Sequence, residues 1–63
     1  MEDVQELLKA WVGADVRAIA AEKKVTEMEL SGQRPPAALV IEALKLRAEA
    51  TAAKDNVLRL VVE

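Results

Sequence analysis

A chain of 63 residues with 11 acidic and 9 basic side chains, no cysteine and no histidine is one small unit that neither disulfides nor a zinc site can brace. A domain of this size buries only about 60% of the surface that its unfolded chain exposes, so its own core leaves little net stability and self-association is the common remedy. The charge divides into seven acids and four bases over residues 1–31 and four acids and five bases over residues 32–63, so neither half is a basic arm.

The opening residues Met1, Glu2, Asp3, Val4, Gln5 and Glu6 are acidic where a secretory signal is basic. No run approaches the roughly 18 consecutive apolar residues of a membrane span. A soluble cytoplasmic chain with no membrane partner is expected.

From there the chain climbs a ladder of apolar and small residues, Val4, Leu7, Trp11, Ala14, Ala18, Ala21, Val25 and Met28, in alternating steps of three and four. Leu, Ala, Glu, Lys and Met dominate the segment, and Glu2, Asp3 and Glu6 sit where the positive end of a helix dipole favours anions. The spacing predicts a first helix over residues 3–31. Gly13 is its weak point, and Asp15 offers a cap for a restart. Ala18, however, stands where a capping box needs Glu or Gln, and the ladder passes the glycine in phase, so one continuous helix is expected.

The run Ser31, Gly32, Gln33, Arg34, Pro35, Pro36 breaks the pattern. Gly32 suits a left-handed cap, and the prolines cannot continue a helix although they can begin one. A turn at 32–35 leads to a second helix over 36–62, on the ladder Leu39, Ala43, Leu46, Ala50, Ala53, Val57 and Leu60. At 1.5 Å per residue each rod is roughly 40 Å long.

So short a connection folds the second helix back on the first, with the two ladders as the hairpin core. With ladder residues at heptad positions a and d, the first helix carries Arg17 and Lys24 at g and Asp15, Glu22 and Glu29 at e. The second reverses the signs, with Glu42, Glu49 and Glu63 at g and Arg47 and Lys54 at e. Antiparallel pairing sets g beside g and e beside e, matching opposite charges. Each exposed pair is worth at most about 0.5 kcal/mol, so the charges choose orientation more than they stabilise. Sliding by one heptad preserves the signs and leaves the register open.

A second apolar set lies beside the ladders: Leu8, Val12, Val16 and Ile19 at e, b and f of the first helix, and Val40, Ile41, Leu44, Leu58, Val61 and Val62 in the second. An isolated hairpin would expose this face to water. The expected occupant is a second copy, giving a homodimeric four-helix bundle or a higher assembly, with a helix of another protein as the alternative. Alanines cluster midway along both rods, at Ala14, Ala18, Ala20 and Ala21 and at Ala48, Ala50, Ala52 and Ala53. They let the helices approach closely; a central apolar ligand cavity is the competing reading, though no polar group is placed to orient a ligand.

Catalytic chemistry is thin. Without His, Cys or Tyr only carboxylates and amines remain. Pairs such as Glu2 with Glu6, or Glu22 with Glu29, read as a solvated face rather than an acid–base pair. A di-iron bundle needs Glu-x-x-His, and neither Gly13 nor Gly32 opens a phosphate loop. No catalytic, cofactor-binding or metal residues are assigned. Trp11, the one aromatic residue, is read as a core anchor rather than a base-stacking platform. The basic residues Lys9, Lys23, Arg34, Lys45 and Arg59 are scattered among Glu6, Glu27 and Asp55, which disfavours nucleic acid as a partner.

In layout the chain resembles the Rop-type antiparallel dimers of helical hairpins, small RNA-binding regulators. The likeness is architectural, with no shared motif, and no functional residue is carried over. The sequence therefore points to an all-α hairpin over residues 1–63 that works as a non-enzymatic interaction or structural module. A nucleic-acid-binding regulator of Rop-like layout is the second reading. An engineered bundle without biological role is the third, opposed by the missing cap before Pro36, by Gly13 and by the Val-rich tail.

Overall fold

The computed structural model describes residues 3–62, which form two α-helices and no strand: α1 over Val4–Leu30 and α2 over Ala37–Val62. Glu2, expected in the first helical turn, and Glu63, expected at a g position, lie outside the described residues. The helices pack against each other along their length as an antiparallel hairpin of 47 × 16 × 14 Å.

Both ends of α1 are set by local chemistry. Asp3 is not a first-turn residue but the N-cap: its backbone is extended, at φ −82° and ψ 130°, and its carboxylate accepts from the Gln5 N–H at 3.0 Å. That satisfies one of the otherwise orphaned amide donors. At the other end Gly32 takes φ +80°, the left-handed conformation that an L side chain resists. The Gln33 N–H then donates to the Met28 carbonyl at 2.9 Å and the Gly32 N–H to the Glu29 carbonyl at 3.1 Å, the paired bonds of a Schellman motif. The Ser31 hydroxyl also donates to the Met28 carbonyl, at 2.9 Å. α2 opens one residue later than its ladder suggests. Pro36 precedes it and offers its carbonyl to the amides of Leu39 and Val40 at 3.0 and 3.2 Å.

α1 runs through Gly13 without a break, because the turns on either side are held by ladder residues against α2. The contact between the helices is made of small groups. Among the described residues the buried ones are Ala14, Ala18, Ala21, Ala43, Ala50 and Val57, with Ala18 0% and Ala50 1% exposed. Ala14, Ala18 and Ala50 form one cluster with Leu46 against it, which settles the register. Leu7, Trp11, Val25, Met28, Leu39, Leu46 and Ala53 are half-buried.

Val4 and Leu60 depart from the core assignment, being 43% and 41% exposed. They lie near the open end of the hairpin, where few turns of the opposite helix remain to cover them.

Two substitutions test this account. Gly32→Ala forces a side chain into the left-handed region and is expected to destabilise by about 1 kcal/mol. Gly13→Ala adds a Cβ that meets only the Arg17 Nη1 atom at an ordinary 3.5 Å and is expected to stabilise by roughly 0.5–1 kcal/mol. Urea unfolding at one fixed protein concentration reads both.

Candidate interaction surface

The two sides of the hairpin differ in chemistry. On one side the g and c rows carry Arg17, Ala20 and Lys24 of α1 and Glu42 of α2, which with Ala21, Leu39 and Leu46 line an open groove of about 280 Å³. The expected g-side ion pairs do not close among the described residues, although the opposite signs sit on the same side as the antiparallel arrangement requires. These side chains are exposed and water competes for them.

The other side carries the e and b rows and is apolar toward both ends. Leu8, Val12 and Ile19 of α1 and Leu44, Leu58 and Val61 of α2 all stand exposed, Val12 by 57% and Leu44 by 66%. Val40 is half-buried in a second groove of about 250 Å³ near the turn, lined also by Val25, Thr26, Ala43 and Leu44, with Glu22 and Arg47 at its edge. Val16 and Ile41, assigned to the same face, are exposed, but their f positions put them on the outer back of each helix, at the rim of this surface.

Near the middle of this side is a polar cluster. The Arg47 guanidinium donates through Nε to Glu22 Oε2 at 2.9 Å, through Nη2 to Glu22 Oε1 at 2.6 Å, and through Nη1 to Asp15 Oδ1 at 2.9 Å. Arg47 thus grips Glu22 with a two-pronged fork, the geometry in which arginine binds a carboxylate most tightly. One arginine bridges two carboxylates seven residues apart, whereas Glu29 and Lys54, also expected to pair along the e rows, form no ion pair among the described residues. About two-fifths of each of these three side chains remains exposed. The remaining ion pair, Lys23 with Glu27 at 4.0 Å, lies on the solvated surface of α1 and contributes little.

Sequence reasoning set the signs of the e rows but missed the sharing of Arg47. The signal was available in residue type: only arginine has enough donors in a rigid plane to hold two carboxylates at once. The hydrogen bonds from Arg47 hold the Glu22 carboxyl below its ordinary value, outweighing the opposing loss of solvation, and the same bonds to Glu22 and Asp15 raise the guanidinium further above the accessible pH range. Glu22 is thereby a poor proton acceptor.

Among the described residues no three acidic side chains converge on a metal-sized site, and no helix is long and apolar enough to cross a membrane. At the alanine midpoint Ala14, Ala18 and Ala50 are buried together, and the two grooves lie to either side of the seam.

Because the folded-state value of Glu22 is depressed, its contribution to stability is fully present above its ordinary pKa of 4.5 and is lost as pH falls through the lowered value. Glu22→Gln is expected to be less stable than the unmodified chain at pH 7, with the gap closing below pH 4.5. Urea midpoints for both chains across that interval provide the measurement. Comparison with protein-family models, with curated proteins and with solved structures finds no match for this chain.

Proposed function

We propose that this protein is a non-catalytic structural or interaction module, and that its e and b face pairs with a second copy to complete a four-helix bundle. The observation that carries the proposal is surplus surface. A monomer of 6.9 kDa is expected to expose about 4,000 Å², whereas this hairpin exposes 4983 Å². The surplus of about 1,000 Å² is close to the roughly 800 Å² that each partner buries in a standard interface.

Shape gives the same indication. The radius of gyration is 14.4 Å, against about 11 Å for a compact chain of this length. Among the described residues no large side chain is fully buried in the single hairpin. The large aliphatic groups that could form a second core layer stand instead on the outside, in rows that a second helix layer would cover.

A second layer would bury the e and b rows on both copies and convert Leu8, Val12, Ile19, Leu44 and Leu58 from exposed residues into core. The g and c side, with its mixed charges, would remain in water. The side chains include no His, Cys or Tyr, and the Glu22 carboxylate, held below its ordinary pKa, is committed to Arg47.

Light scattering on the eluting protein at tens of micromolar is expected to give about 14 kDa, twice the 6.9 kDa of one chain. Leu44→Lys places two unpaired ammonium groups in the interface of each dimer and is expected to weaken pairing roughly 100-fold or more. A folded particle of one-chain mass at that concentration overturns the proposal.

A further inference from the structure

We infer, resting on the proposed pairing, that the second copy is seated with its turn at the same end of the bundle, so that α1 of each chain lies over α2 of the other. The reasoning comes from the charges on the apolar face. The e row of α1 is acidic, with Asp15, Glu22 and Glu29, and the e row of α2 is basic, with Arg47 and Lys54. Two hairpins can stack on this face about a twofold axis in two ways. If the turns lie at opposite ends, α1 covers α1 and α2 covers α2, which lays acid on acid and base on base in every sliding register. If the turns lie at the same end, each acidic row covers a basic one.

The apolar residues add a second, independent reason. The packing of Ala18 against Ala50 fixes the level of each residue along the rod, and a same-end partner inherits these levels. Val12 then falls level with Leu58, Ile19 with Thr51 and Thr26 with Leu44 across the new interface, each within about 3 Å along the axis at 1.5 Å per residue. Large groups meet large or medium ones, and no b-row aliphatic is forced onto a carboxylate.

Arg47 supports the arrangement with hydrogen bonds left to give. Three of its five N–H groups are used within the hairpin. In the same-end arrangement α1 of the second copy passes over Arg47 with its own Glu22 within about 2 Å of that level along the axis. The two remaining donors of each guanidinium are then opposite carboxylates, so that the clusters of the two copies join into one network with its donors and acceptors matched.

The chain has no cysteine, so a single Gln33→Cys substitution gives one spin-label site per chain. The Gln33 side chain is exposed, and only its backbone amide takes part in the turn. Pulsed dipolar spectroscopy on the labelled protein is expected to give a separation at or below roughly 25 Å, the width of a bundle whose helix axes lie about 8–10 Å apart plus the label arms. A separation near the 47 Å length of the rod overturns the same-end seating and leaves pairing intact. A one-chain mass with no dipolar signal overturns both.

Lys54→Glu gives a second reading by its sign. It makes the α2 row less basic and is expected to weaken same-end pairing by roughly 3- to 10-fold, with unchanged helix content by circular dichroism. Tighter pairing, or no change, overturns the seating.

Discussion

Close contact between small side chains is the constraint from which the rest of this structure follows. Ala14, Ala18 and Ala50 bring the two helix backbones together at the middle of the rod, and helices that approach on alanine leave no room between them for large groups. The isoleucines, most of the valines and half of the leucines therefore stand off the seam. Among the described residues five of the six buried ones are alanine and the sixth is Val57. Such a seam defines a geometry well but removes little apolar area from water, since each methyl group contributes only a small share of what a leucine would. The hairpin is thus specified more firmly than it is stabilised.

That imbalance gives the exposed face its meaning. In most small soluble proteins an isolated exposed leucine needs no explanation, but here Leu8, Val12, Ile19, Leu44, Leu58 and Val61, all exposed, share the e and b rows of both helices and flank one seam. The same side carries the strongest polar contact in the molecule, the fork between Arg47 and Glu22 with Asp15 as third member. Within the single hairpin the cluster joins α1 to α2 and supports the register that the alanines set. In the proposed dimer it would sit in an increasingly dry setting, where a charged group without its partner is expensive. The cluster would then act on alignment more than on affinity, because a displaced register would strand charges that the correct one satisfies.

Much of the fold could be read directly from residue pattern, and the reasons are local. The ladders follow a period that only a helix supplies, Gly32 can take a backbone conformation that other residues resist, and Pro35 and Pro36 forbid continuation, so two helices and a turn follow without long-range information. Continuity through Gly13 was also legible, since the ladder stays in phase across it. The helix starts were less so: Asp3 proved to be a cap rather than a first-turn residue, a distinction that depends on its extended backbone. Register was not legible, because a heptad slide preserves every sign, and it took the packing of Ala18 on Ala50 to settle it. The exposure of Val4 and Leu60 belongs to the ends of a finite rod, which a repeating pattern does not encode. The face was legible as a set of residues but not as an arrangement. Apolar character groups Val16 and Ile41 with the others, although their f positions set them at the rim, where both stand exposed.

If the proposed pairing holds, folding and assembly in this chain are one problem. A hairpin whose seam is alanine gains little by closing alone, while its closure is what gathers the e and b rows of two separate helices into a single surface. If a second copy covers that surface, the energy of the outer contact acts back on the inner one, since only a closed hairpin presents both rows at once. Stability would then rise with protein concentration, as mass action requires when a partner binds only the folded state. The turn has a particular part in this coupling. By holding α1 and α2 at a fixed level through Gly32 and the bonds to Met28 and Glu29, it sets the levels of the acidic and basic rows before any partner arrives. The complementarity proposed for the outer face would in this sense be a consequence of the cap on α1, built on a glycine at φ +80° whose N–H is held by the Glu29 carbonyl.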